Sequence, residues 1–167
     1  MSALVAPITD ADCAEVLPLV AAYQRFYEVE PDEARNATFF RRFVASGSSA
    51  APTAGESAPG AQGELPGVLL GARVDGTGPL VGYACLHWRL DTVAAKEVVC
   101  LHDLYAVPEV RGTGVGRALL EAAAEVARAR GAASLVWSTA PGNATAQRLY
   151  DATGATRSTW VEYELPV

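Results

Sequence analysis

Residues Arg111 to Arg117 read RGTGVGR, and they join a segment of strand character, Leu101 to Val110, to a helix-forming run, Ala118 to Arg130. That junction restricts the chain to an architecture in which a strand feeds a long helix through a loop with bare main chain. Pro108 stops the strand. Gly112, Gly114 and Gly116 let backbone N–H groups crowd around an anion, and the positive end of the following helix adds its field. Arg111 and Arg117 supply full charges, so the loop reads as a phosphate cradle, although the glycines taken alone also suit a plain tight turn. A Walker loop needs GxxxxGK with Ser or Thr, and no Lys is present here. A dinucleotide fingerprint needs its third glycine one place later and an acid about 20 residues on. The corresponding stretch, ARARGAASLVW, has no acid.

What these residues do fill is R/Q-x-x-G-x-G/A, with Arg111, Gly112, Thr113, Gly114, Val115 and Gly116 in order. The segment SLVWST (Ser134 to Thr139), then Asn143, then AQRLYDATGA (Ala146 to Ala155) follow. Together they resemble the acetyl-CoA loop and downstream motifs of the GNAT superfamily of N-acetyltransferases. The resemblance implies an α/β (α+β) fold, one N-acetyltransferase domain over residues 1–167. Its central, mostly antiparallel mixed sheet splays at the cofactor strand and is flanked by about four helices. It also implies acetyl-CoA as cosubstrate.

The elements expected along the chain follow that order. A strand at Ala3 to Thr9 precedes a helix capped by Asp10 or Asp12 and running through AEVLPLVAAYQRFYEV, and Pro31 opens a second helix. Residues 46–67 carry small and polar side chains without periodicity, which predicts a flexible loop, either a lid or a plain insertion. VLLGARV, PLVGYACLHWRL and KEVVCLHDLYAV read as three consecutive strands, the first two joined by a turn at Asp75 to Gly78. The long helix, a strand at 134–139, a helix at 143–153 and a last strand, RSTWVEYEL, complete the order.

Acetyl transfer to an amine needs a neutral nucleophile, a polarised thioester carbonyl and a proton for the departing thiolate. The resemblance makes Tyr150 that proton donor; packing of its ring against the sheet is the other reading. It places Asn143 on the pantetheine arm, while PGN at a helix start is equally an N-cap. Leu104, Tyr105 and Ala106 match the splayed part of the cofactor strand, whose main chain pairs with pantetheine in the family, and a β-bulge there would free backbone groups for it. His102 and Asp103 stand where relatives carry an acid that draws the amine proton. Strand alternation sends the two to opposite faces, and a structural histidine is the alternative.

The acceptor side is the least constrained. FYEVEPDE combines aromatic rings with carboxylates, which makes Tyr27, Glu28 and Glu30 candidates for an ammonium, or simply a solvated acidic face. The chain has the look of a branch that acetylates polyamines, amino acids or basic protein tails. A small cationic amine acetylated by direct attack in a ternary complex is the expected activity. Acetylation of a protein lysine or N-terminus, and a non-catalytic CoA-binding domain, are the alternatives.

Composition bears on the rest. The net charge of −6 argues against a nucleic-acid partner. With two histidines, three cysteines and no CxxC, no metal site is expected. The odd, unpaired cysteines and the lack of an apolar span or basic leader predict a cytoplasmic protein without a membrane segment. Trp160, Val161, Tyr163 and Leu165 put apolar side chains on both faces of the last strand, and related enzymes pair there, so a homodimer is expected.

Overall fold

The computed structural model describes residues 3–44 and 65–167. The order is β1 (Ala3–Pro7), α1 (Cys13–Phe26), α2 (Glu33–Phe40), β2 (Gly67–Val74), β3 (Leu80–Asp91), β4 (Lys96–Ala106), α3 (Val115–Ala129), β5 (Leu135–Val136) and α4 (Ala144–Asp151). The strands form one sheet in the order β1-β2-β3-β4-β5, antiparallel except for β4 with β5. The fold is the expected α+β arrangement with a mixed sheet. Two compact units divide the chain, Met1–Trp137 with the whole sheet, and Ser138–Val167 with α4.

In the first unit, side chains alternate across the sheet. Leu69, Tyr83, Cys85 and Tyr105 join Val16, Leu19, Val20, Phe40 and Phe43 in a core beneath α1 and α2. Helix α3 buries Val115, Leu119, Leu120, Ala123 and Ala127, an i, i+4 stripe. Gly82 lets α3 approach the sheet: a Cβ there would stand 2.7 Å from the Tyr105 carbonyl oxygen and 3.2 Å from Leu119. Arg73 of β2 reaches Asp12 and Glu15, each at 2.8 Å, and so ties the sheet to the start of α1. The Asp12 carboxylate accepts from the Thr9 N–H and hydroxyl at 2.9 and 2.7 Å, so it closes the turn before α1, and the side-chain cap expected from Asp10 or Asp12 on α1 itself is not made. Reciprocal amide bonds between Gln24 and buried Asn36, 2.9 and 2.8 Å, join α1 to α2.

Three expectations need correction. The strand expected at 134–139 shrinks to Leu135 and Val136. The last strand, RSTWVEYEL, does not form: residues 155–167 have no regular structure and are exposed, Trp160 by 88%. Alternating apolar side chains make a strand only where a neighbour supplies the ladder, and no described segment pairs with them. The β-bulge expected at 104–106 lies instead at His102, where Cys85 pairs with Asp103 but Leu86 pairs with Leu101. Most of the loop expected at 46–67 falls outside the described residues, and Gly67 already belongs to β2.

Candidate active site

The glycine loop is a strand-to-helix corner. After β4, Pro108–Val110 make one tight turn, Arg111 is extended, and Gly112 and Gly114 take φ of +79° and +101°. Those two positions require glycine for backbone reasons, because an L side chain at such φ is strained. A Cβ on either would meet nothing within 4 Å, so the space beside the loop is open. The Ala118 N–H donates to the Gly114 carbonyl at 2.9 Å, which starts α3. The N–H groups of Val115, Gly116 and Arg117 therefore emerge in the first turn without an acceptor inside the helix, at its positive end. Thr113 turns its hydroxyl back to the Val110 carbonyl at 2.7 Å and closes the loop. Arg111 donates through Nε to the Ala106 carbonyl at 3.1 Å and lies over the Tyr105 ring at 5.9 Å. Arg117 is exposed.

Among the described residues, the strand beside the loop has a ladder partner along one edge and only a short one along the other. β4 pairs with β3 as far as Ala106, but with β5 only at Val99 and Cys100. The Val107 N–H donates to the Val81 carbonyl at 2.9 Å, so alternation aims the main-chain groups of Tyr105 at β3 and those of Leu104 and Ala106 away from it.

The bulge changes what His102 and Asp103 can do. Regular alternation would have separated them, but the extra residue in β4 brings His102 Nδ1 to 3.2 Å from Asp103 Oδ1. The His102 side chain is 67% exposed and that of Asp103 13%. Tyr83 on β3 donates its hydroxyl to Asp103 Oδ2 at 3.3 Å, and His87 stacks on His102 with ring centroids 5.1 Å apart. Burial, and then the Asp103 charge, hold the Tyr83 phenol well above its ordinary range, which keeps it protonated and donating. Burial also pushes the Cys85 and Cys100 thiols up and the His87 imidazole down. Tyr83 and His87 were not foreseen as site residues; the one signal was polar aromatic residues inside the apolar run PLVGYACLHWRL. Tyr23 of α1 packs edge-on against Tyr83 and Tyr105, each at 6.1 Å, and against Tyr27 at 5.0 Å.

The proposed acceptor residues Tyr27, Glu28 and Glu30 are exposed just after α1, with Glu28 at φ +60°. In the second unit, Asn143 caps α4, its Oδ1 accepting from the Ala146 N–H at 3.2 Å. Tyr150 is half-buried in the last turn of that helix, where its carbonyl accepts from the Thr153 hydroxyl at 2.6 Å. Among the described residues, no group of three His, Cys, Asp or Glu side chains is arranged to hold a metal, and no helix is long and apolar enough to cross a membrane.

A model of the acetyltransferase (GNAT) family matches residues 21–155. The chain belongs to that family. This GNAT acetyltransferase is 28% identical over 158 residues to the uncharacterized N-acetyltransferase YhfO of Bacillus subtilis (strain 168), covering 94% of this chain and 93% of the relative. Over 88 residues, 52% of this chain and 51% of the relative, it is 34% identical to the thialysine N-epsilon-acetyltransferase of Bos taurus. Its fold matches that of AAC(6')-Iy in complex with the bisubstrate analogue CoA-S-monomethyl-acetylneamine, with a TM-score of 0.77 at 17% identity over 100% of this chain and 99% of the other. As a GNAT acetyltransferase it transfers acetyl to nitrogen and uses acetyl-CoA as cosubstrate.

Proposed function

We propose that residues 1–167 act as one domain that N-acetylates the primary amine of a small cationic acceptor, by direct attack within a ternary complex. The observation that carries this reading is the loop at the end of β4: two glycines at positive φ and a first turn of α3 whose N–H groups have no acceptor inside the helix. Acetyl-CoA supplies the activated acetyl group. Gly112, Thr113, Gly114, Val115, Gly116 and Arg117 hold its pyrophosphate by main-chain N–H and charge, while Arg111 fixes the corner and adds its charge. In the stretch Leu104, Tyr105 and Ala106, Leu104 and Ala106 offer main-chain groups to the pantetheine amides while those of Tyr105 stay with β3, and Asn143 is the residue proposed to contact that arm. Tyr150 gives its proton to the departing sulfur. The ammonium loses its proton at the His102–Asp103 pair, and Tyr27, Glu28 and Glu30 attract its positive charge.

A cationic acceptor suits the acidic surface, and the relatives named for thialysine and an aminoglycoside analogue act on or bind amines. Direct transfer suits thiols that burial holds protonated, since Cys85 and Cys100 are then poor nucleophiles. The test is thiol release from acetyl-CoA against polyamines, amino acids, aminoglycosides and a histone-tail peptide. Turnover on one of the small amines, with intersecting initial-velocity lines, is expected. Tight acetyl-CoA binding with silence across the whole panel would mark a non-catalytic domain, and parallel lines would contradict direct attack.

The protein works in the cytoplasm as a homodimer in this reading, supported by apolar Trp160, Val161, Tyr163 and Leu165, all at least 75% exposed. Light scattering at micromolar concentration should give twice the chain mass; a monomer mass would remove the dimer.

A further inference from the structure

We propose that Glu97, gripped by Arg130, is a positioning residue for acetyl-CoA: the pair fixes the register of β5 on β4 and so sets how much of the β4 edge is left to the cofactor. The inference rests on the reading that Leu104 and Ala106 pair with pantetheine, and it adds the residues that keep their main-chain groups available.

The need for such a pin lies in β5 itself. It has two residues, and its ladder with β4 consists of Val99 with Leu135 and Cys100 with Val136. Both β5 side chains are half-buried, so little apolar contact distinguishes one register from the next. A slip of two residues keeps each side chain on its own face, and so short a strand specifies its register weakly. Moved two residues towards Ala106, Leu135 would pair with Leu101 and Val136 with His102, and the ladder would advance on Leu104.

Glu97 holds the observed register through both main chain and side chain. Its carbonyl accepts from the Ala133 N–H at 2.9 Å, and the Val99 N–H, two residues on, donates to the Ser134 carbonyl at 3.0 Å. Its carboxylate accepts from Arg130 Nε at 2.8 Å and from a second guanidinium nitrogen at 3.3 Å. That guanidinium lies 4.1 Å over the Trp88 ring of β3. Trp88 pairs with Val99, so Glu97, Val99 and Trp88 stand on one face of the sheet. The Arg130 and Glu97 side chains are 11% and 14% exposed, and a fork so enclosed keeps its geometry where a surface pair would trade it for water. The approach of Arg130 is fixed as well. Gly131 takes φ +71°, its N–H donates to the Arg128 carbonyl at 2.9 Å, and the Ala132 N–H donates to the Ala127 carbonyl at 3.0 Å. The chain therefore leaves α3 in one direction and meets β4 at Glu97.

Distance separates this pin from direct charge effects on the cofactor. Arg130 follows the last turn of α3 while the glycine loop precedes its first, and 15 residues at about 1.5 Å each put the two roughly 22 Å apart. That is more than twice the screening length of about 8 Å in physiological salt. A change in CoA affinity on breaking the pair thus travels through the strand.

Calorimetry with CoA on Glu97→Gln, Arg130→Met and the double variant tests the pin, with circular dichroism for folding and hydrogen exchange along β4. Each single variant should lose about 10-fold in CoA affinity, and the double variant no more than Arg130→Met alone, because both substitutions break one contact. The Val99 amide should exchange faster in each, and CoA should protect Leu104 and Ala106 less than in the parent. Arg128→Ala, which removes a neighbouring cation from an exposed pair, should bind CoA as the parent does. Should Arg130→Met not fold, Arg130→Lys, which keeps the charge and loses the fork, takes its place in the cycle. A pair that only stabilises the fold would lower the midpoint of thermal unfolding and leave folded variants with the parent CoA affinity, which would overturn the proposal. Losses that multiply in the double variant, or an equal loss in Arg128→Ala, would overturn it too. CoA that binds the parent without slowing exchange at Leu104 and Ala106 would overturn the pantetheine placement, and the pin with it.

Discussion

Gly114→Trp is expected to weaken CoA binding by at least about 10²-fold, measured by calorimetry, while circular dichroism and thermal unfolding show a folded protein. The side chain would project into space where the structure places no neighbour within 4 Å, so the core does not resist it. It would instead occupy the approach to the N–H groups of Val115, Gly116 and Arg117. Each charge-assisted hydrogen bond lost there costs about 1.5–3 kcal/mol, or roughly 10- to 150-fold. A φ of +101° adds about 1–2 kcal/mol of strain for any L side chain. Arg111→Ala should cost about 1.5–3 kcal/mol of CoA affinity. Part of that loss would come through the released Ala106 carbonyl, which Arg111 holds at the strand edge. Parent-like affinity in Gly114→Trp would mean the pyrophosphate sits elsewhere.

Tyr150→Phe should lower kcat and kcat/KM together by about 10²-fold, with acetyl-CoA affinity little changed. The substitution keeps the ring that half-buries itself on α4 and deletes only the hydroxyl. Its motivation is the place of Tyr150 in AQRLYDATGA, the stretch that matches the family's proton donor. A tyrosine that only packs would leave kcat near normal and cost a little stability. If the Phe variant keeps more than about half the parent kcat where chemistry limits the rate, water supplies the proton instead.

Features encoded locally were legible in the sequence. The glycine spacing announced the corner at 111–117, and the helix-forming composition of Ala118 to Arg130 announced α3, which begins at Val115, because backbone freedom and helix propensity are properties of a few neighbouring residues. Asn143 as a helix cap was readable for the same reason. What escaped was set by partners distant in the chain. The bulge at His102 depends on how β3 and β4 align, so alternation along β4 alone sent His102 and Asp103 to opposite faces when they in fact meet. Tyr83 and His87 lie in a strand buried on both faces, where an apolar run hides which polar side chain will find a carboxylate. The segment RSTWVEYEL has strand composition but no ladder among the described residues.

Hydrogen exchange with and without CoA tests the cradle most directly, because it reads the amides that are proposed to hold the ligand. Added CoA should slow exchange at residues 112–117 and at Leu104 and Ala106, with little change in the buried amides of β2. Protection confined to other segments, with residues 112–117 exchanging as in the free protein, would contradict CoA binding at the start of α3.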